Sequence, residues 1–261
     1  MKIIILNIKN IKRFKLLFAT LILAILALLF FFFYKNKSGF YFELGNRFFG
    51  THTLGLNLYN INIAEELYQL SAVESKENGT KSPEWLNYQR SRVSFVSGDL
   101  YDAIMYANME LSLYPDNCRT HYIRGLSYGY LEDLDRAIAD FETFNLCFPY
   151  TWAGHNDLAW FWFRKGNMLK VKEVVEEVIK SYPDNPWLLN TYGAALLNLK
   201  EYAKAKEVLE RAKKYSYKMT AQDWGVAYPG NNPKIYQEGL DSMRSTIDKN
   251  IKLRDSIILE K

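Results

Sequence analysis

The tetrapeptide YPDN stands at Tyr114–Asn117 and again at Tyr182–Asn185, and Phe148-Pro149-Tyr150 lies halfway between. The prolines, Pro115, Pro149 and Pro183, are 34 residues apart. Proline has no N–H and disfavours a helical residue before it, so each one stops a helix. A stop on a fixed ruler marks a repeated unit. With these prolines at position 32, four blocks begin at Glu84, Cys118, Trp152 and Pro186. Position 8 reads Ser91, Gly125, Ala159 and Gly193, all small, where two helices must approach closely. Positions 15–17 read GDL, EDL, GNM and KEY, a polar turn followed by an apolar residue. Position 20 reads Ala103, Ala137, Val171 and Ala205; position 24 reads Ala107, Phe141, Val175 and Leu209; position 27 reads Glu110, Phe144, Val178 and Ala212.

The agreement of several columns at once, clearest in PWLLNTYGAALLNLKEYAKAKEVLERAKKYSY (186–217), resembles the tetratricopeptide repeat family over residues 84–217. The resemblance implies an all-α fold, a right-handed α-solenoid of helix-turn-helix repeats. Each block is then a helix, a tight turn, a second helix and a stop, and pairs stack because one pair cannot bury its apolar face alone. Asp-Asn after the proline is expected to cap the next helix. Block 84–117 departs at positions 24 and 27, and Tyr217 replaces the terminal proline of the last block. Those departures leave the fold intact and predict irregular packing. The strand alternative for DLAWFWF (Asp157–Phe163) fails because the register puts it on a first helix.

The flanks are less regular. Within residues 35–83, Asn60, Ile61, Ala64 and Tyr68 match positions 16, 17, 20 and 24 of a degenerate block starting at Gly45, with SKENGTKS (Ser75–Ser82) as a loop. Residues 218–261 leave the ruler. DWGVAYPGNNP (Asp223–Pro233) is rich in turn formers, and Asn232-Pro233 opens a helix. Its stripe of Ile235, Leu240, Met243, Ile247, Ile251 and Ile258 predicts a helix that caps the last repeat, with dimerisation as the alternative.

Leu16–Tyr34 carries no charge and is long enough, at about 1.5 Å per residue, to cross a bilayer's hydrocarbon core. Residues 1–15 form a basic tail with Lys2, Lys9, Lys12, Arg13 and Lys15; Lys35 and Lys37 follow the run. The bias predicts a single-pass membrane protein with a cytoplasmic N-terminus and its body outside the cytoplasm. A cleaved signal peptide is the rival, but the run ends in Phe30–Phe33 and Lys35 without a small-residue cleavage site. Seven of the 33 basic residues fall in residues 1–37, which hold no acid, leaving 26 against all 29 acidic residues. The body therefore lacks the basic excess expected of a nucleic-acid binder.

Among the motifs of chemistry there is no phosphate loop, dinucleotide fingerprint or nucleophile elbow. His52, His121 and His155 have no metal-ligand spacing, and in register His155 is a structural residue of a first helix. No cofactor and no catalytic set is expected. Asn78-Gly79-Thr80 is a glycosylation sequon. The favoured class is a scaffold whose concave groove binds a peptide or partner protein, in assembly of a cell-envelope complex or in tethering. The alternative is an accessory subunit or a groove-based enzyme acting on an envelope substrate.

In the family the concave face is built from first-helix positions near 2, 5, 6, 9, 12 and 13. By resemblance the groove residues are Trp85, Tyr88, Gln89 and Arg92 from the first block, and Arg119, Tyr122 and Tyr130 from the second. The third gives Asn156, Asp157, Trp160 and Arg164, and the last Trp187 and Asn190. The family's clamp for a C-terminal carboxylate needs Lys or Arg at position 5; here Tyr88, Tyr122, Asn156 and Asn190 stand there, so that role does not carry over. Cys118 and Cys147 fall at positions 1 and 30 of one block, at the same end of an antiparallel pair. Either they join in a disulfide or they remain two neighbouring thiols.

Overall fold

A computed structural model describes residues 18, 20–25, 36–49, 58–228 and 231–259. The first pair is α1 (Lys37–Phe48) and α2 (Ile61–Glu77). Four further pairs follow: α3 (Leu86–Ser97) with α4 (Leu100–Leu113), and α5 (Cys118–Tyr130) with α6 (Leu134–Cys147). Next come α7 (Trp152–Arg164) with α8 (Met168–Val178), and α9 (Pro186–Asn198) with α10 (Tyr202–Ser216). A short α11 (Ala221–Ala227), a 3-10 turn at Pro233–Ile235 and a long α12 (Tyr236–Leu259) complete the chain. Each helix packs on its pair mate and then on the next pair, and the described residues contain no strand.

The turns inside the four later blocks share one backbone device. Position 15 is left-handed in every case: Gly98 (φ 89°), Glu132 (φ 65°), Gly166 (φ 77°) and Lys200 (φ 62°). Glycine takes this conformation freely; glutamate and lysine pay for their Cβ. One or two residues later the next helix begins, with Asp133 accepting from the Arg136 N–H and Asn167 from the Lys170 N–H. Pair mates then close on the small residue at position 8. A Cβ at Gly125 would lie 2.9 Å from the Phe141 ring, and one at Gly193 would lie 2.5 Å from Leu209.

The same test corrects the register of the first pair. A Cβ at Gly45 would lie 2.6 Å from the Tyr68 ring. Gly45 therefore does the work of position 8, and the block does not start there. The first helix occupies residues 37–48, and a connection longer than the usual turn, including residues 50–57 outside the described set, separates it from α2. His52 falls in that stretch. The second helix keeps the expected register: Asn60 caps it by accepting from the Ile63 N–H, and Ala64 and Tyr68 are fully buried.

The YPDN motif works in two ways. Asn185 caps α9 by accepting from the Leu188 N–H. Asn117 makes no such cap for α5; its amide donates to Glu110 at 3.0 Å instead. Glu110, at position 27 where the other blocks are apolar, is completely buried. Its carboxylate accepts from the backbone N–H groups of Trp85, Asn87 and Tyr88, the open donors at the start of α3. This is the irregularity expected of block 84–117. It divides the interior: one apolar cluster runs through α5–α10 to Ile247, and a second joins α1, α2 and α3 through Phe49, Ala64, Tyr68, Leu86 and Val93.

At the C-terminus, the turn-rich reading of Asp223–Pro233 is corrected in part. Thr220 and Asp223 form a reciprocal capping box that starts α11 inside it. Asn232 accepts from the Lys234 N–H ahead of α12. The α12 stripe holds at its centre, with Leu240 and Ile247 buried and Met243 and Ile251 packed on the core, whereas Ile235 and Ile258 are exposed. Arg244 donates to the carbonyls of Ser216 and Met219, and the buried Arg254 pairs with Glu210, so α12 covers α10 as a cap.

Cys118 and Cys147 are bonded, with Cα atoms 6.3 Å apart. They are the first residue of α5 and the last of α6, so the bond joins helix tips and need not span the interaxial distance. Among the described residues no helix is long and apolar enough to cross a membrane. The run 16–34 lies outside the described residues except for 18 and 20–25, which are helical.

Two stability outcomes follow. Lys200→Gly, which relieves a left-handed lysine that makes no ion pair among the described residues, raises the unfolding free energy by about 0.5–1 kcal/mol, whereas Gly98→Ala lowers it by a similar amount. Replacing both cysteines by serine opens a loop of sequence separation 29 and lowers it by about 3–4 kcal/mol in urea denaturation.

Candidate functional site

First helices α3, α5, α7 and α9 stand side by side, with α3 against α5 and α7 against α9. Side chains link them on one face. The Tyr122 hydroxyl of α5 donates to Asp157 Oδ2 of α7 at 2.5 Å. Thr191 of α9 donates to Asn156 Oδ1 of α7 at 2.9 Å. Tyr130 of α5 lies between Phe95 of α3 and Trp160 of α7, at centroid distances of 5.6 and 6.0 Å. Trp152 of α7 stacks on Trp187 of α9 at 5.0 Å.

The residues read from the repeat register separate into a central group and a periphery. At the centre are Tyr88, Tyr122, Asp157 and Trp187. Asn156 is buried beside Asp157 and offers it an amide N–H at 3.4 Å. Trp160 is half-buried, with the Arg164 guanidinium 4.8 Å from its ring centroid; Arg164 also pairs with Glu132 and donates to the Gly129 carbonyl. Tyr130 is more than half exposed. At the N-terminal edge, Trp85 lies edge-on to Tyr88, Gln89 donates to Asn46, and Arg92 donates to Gln89 while lying over the Phe49 ring. Two residues sit away from the centre. Arg119 lies over Phe148 near the helix tips, and Asn190 accepts from Asn250 of the capping helix.

Sequence reasoning missed Tyr228. It lies off the ruler, in the segment after α11, yet its ring is 5.9 Å from Trp187 and it is close enough to Asp157 and Tyr130 to feel their charge. The C-terminal segment thus bends back to the face formed by the first helices. Trp224 packs at a tilt against Tyr228, with ring centroids 4.6 Å apart. The local aromatic density of DWGVAY was the available signal, but nothing in its spacing ties it to position 5 of distant blocks.

Electrostatically the centre is dominated by one carboxylate. Burial pushes Asp157 up to about 6, against the pull of its hydrogen bonds from Tyr122 and Asn156. No described cation pairs with it. Burial, then the charge of Asp157, raises Tyr122 well above the usual phenol range, and the same two causes raise Tyr228. The histidines stand elsewhere. His121 and Arg124 bind Asp140, and His155 is buried with its Nδ1 3.0 Å from the Thr151 carbonyl. No cluster among the described residues is able to hold a metal ion.

Residues 174–207 match the tetratricopeptide repeat family model. The window runs from α8 into α10; it spans one 34-residue period and starts 12 residues before the proline-based block at Pro186. No curated protein matches the sequence. Among solved structures, a MamA protein is 16% identical, with 70% of this chain and 94% of that chain covered at a TM-score of 0.56. A MamA double mutant designated RS-1 is 15% identical, covering 70% and 96% at a TM-score of 0.60. A tetratricopeptide repeat protein from Parabacteroides merdae is 11% identical, covering 85% and 93% at a TM-score of 0.57. At these identities the likeness is one of fold: the chain is an all-helical solenoid of the tetratricopeptide type.

Asp157 makes stability depend on pH with a defined sign. Its folded pKa lies above its unfolded value, so ionisation opposes folding; the penalty is absent below about pH 4 and complete above about pH 6. The groups facing it, Tyr122 and Tyr228, stay neutral through this window, and Asn156 does not titrate. Between pH 4 and 8 the stability of the native chain should therefore fall by about 2 kcal/mol relative to Asp157→Asn, less than the full conversion of the shift because Asp157 is partly accessible to solvent. Paired denaturation curves across that range check this.

Proposed function

We propose that the protein is a membrane-anchored scaffold that binds a peptide or partner protein through the face shared by α3, α5, α7 and α9. The observation that carries this reading is the continuous row of aromatic and polar side chains contributed by successive first helices. Tyrosine, tryptophan and arginine are the residues on which interfaces most often anchor. A solenoid of stacked pairs is suited to such contacts because it presents an extended inner surface on a rigid backbone.

The anchor rests on the uncharged run Leu16–Tyr34, which only Lys35 and Asn36 separate from the start of α1 at Lys37. So short a connection would hold the solenoid against the bilayer. The charge bias favours a cytoplasmic N-terminus with the body outside, and the Cys118–Cys147 disulfide agrees with an oxidising compartment. Assembly or tethering of an envelope complex is the role that fits these features together.

Crosslinking in native membranes, followed by purification of the full-length chain, should recover a partner. Tyr88→Ala with Tyr130→Ala should reduce that recovery at least about tenfold while leaving the melting temperature within a few degrees. The anchored chain should stay with membranes through alkaline carbonate washing, and protease added outside spheroplasts should digest its body. A shortened, soluble form would mean a cleaved signal, and protection until lysis would place the body in the cytoplasm.

A further inference from the structure

Asp157 is a costly residue to keep in the centre of the groove. It sits deep among aromatic rings, yet no cation compensates it. One oxygen accepts from the Tyr122 hydroxyl at 2.5 Å and the other from the Asn156 amide at 3.4 Å. Neither contact neutralises a charge. The carboxylate is not sealed, since Asp157 remains partly accessible through the groove. Tyr122 presents its hydroxyl to it, and Tyr228 is near enough to feel its charge, with the Trp187 ring 5.9 Å from the Tyr228 ring. A negative charge with no cation beside it is a receptor for a positive charge, and neighbouring aromatic rings attract the same ligand. The three arginines read onto this face are engaged at its edges, Arg164 with Glu132, Arg92 with Gln89 and Arg119 over the Phe148 ring.

We propose that Asp157, Tyr122, Tyr228 and Trp187 form a cation-accepting subsite that takes a lysine side chain from an extended segment of the partner protein. This rests on the groove being the partner site. Lysine is favoured over arginine by the state of the carboxylate. A guanidinium binds best as a coplanar fork on both carboxylate oxygens, whereas each Asp157 oxygen already accepts one hydrogen bond and keeps a single lone pair, which narrows that approach. A compact ammonium needs one remaining lone pair and can rest against ring faces. The lysine's methylene stem matches the apolar walls that Trp187 and Trp152 provide.

The test titrates the full-length chain with four pentapeptides, acetyl-Gly-Ser-X-Ser-Gly-amide, where X is lysine, Nε-acetyl-lysine, arginine or glutamate. Tryptophan fluorescence and calorimetry report binding. The lysine peptide should bind about tenfold more tightly than its acetylated form and more tightly than the arginine and glutamate peptides. Asp157→Asn should erase the difference between lysine and acetyl-lysine, and Tyr228→Ala should reduce it. Equal binding of the lysine and acetyl-lysine peptides overturns the subsite without any variant having to fold. So does an arginine peptide that binds best, or no binding of the lysine peptide at millimolar concentration. The groove reading fails separately. If Tyr88→Ala with Tyr130→Ala abolishes crosslinked partner and Asp157→Asn does not, the groove stands and the lysine subsite falls. If neither changes it, both fall.

Discussion

The fold depends on how closely two helices of a pair can approach at one point. In the pairs whose spacing is set by glycine, the opposing residue is large: Tyr68 against Gly45, Phe141 against Gly125, Leu209 against Gly193. In register, Ala159 is matched with the smaller Val175, and Ser91 with Ala107. The pair volume is distributed differently each time, while close packing is kept, as dense interiors require. Ser91 adds a hydrogen bond, its hydroxyl donating to the Ala103 carbonyl at 2.7 Å. Pair geometry of this kind fixes the direction in which position 5 of each first helix points. The inner face is therefore a consequence of what happens on the opposite side of those helices.

Glu110 shows what a repeat does when this packing is interrupted. Its block carries alanine at position 24 and a carboxylate at position 27, and the apolar interior breaks there into two clusters. A buried charge is tolerable only when it is well hydrogen-bonded. Glu110 collects three backbone N–H groups and the Asn117 amide, and in doing so it holds Trp85 in a left-handed conformation (φ 75°) at the head of α3. The strain and the charge support one another. The block exchanges apolar contact for a polar joint that fixes the start of a groove helix.

Much of this was legible in the sequence because it is periodic. Prolines, small residues at position 8 and polar turns recur at 34 residues, and a helical pair has few other ways to satisfy them. The register slipped at Gly45 because the long connection before Asn60 breaks the ruler while leaving the packing rule intact. A glycine was visible, but its partner was twenty-three residues away with no period to point to it. The resemblance names Tyr88, Tyr122, Asp157 and Trp187, and the structure places them on the face that the first helices share. Asn190 was not separable from them, since its engagement with Asn250 depends on where α12 comes to rest. Tyr228 was hidden for the same reason: its place is set by the path of the chain after α10, and local spacing carries no record of that path.

That path gives the groove its character. The capping helix must cover the last pair, and Arg244, Arg254 and Ile247 bind it along α10. To reach α12, the chain passes through α11, which lies so close to it that a Cβ at Gly225 would meet the Tyr236 ring at 2.1 Å and one at Gly239 would meet Trp224 at 2.2 Å. This tight crossing positions Tyr228 beside Trp187 and Asp157. Capping the solenoid and lining its groove are thus one structural event. The cost of leaving Asp157 without a cation falls on a stack whose disulfide, caps and paired helices hold it in place regardless. A sequence selected for stability alone would fill that site with an apolar residue or a partner arginine. An uncompensated carboxylate, held by a tyrosine hydroxyl and neighboured by a tyrosine from the C-terminal segment, is a local violation of the packing rules that the rest of the stack obeys.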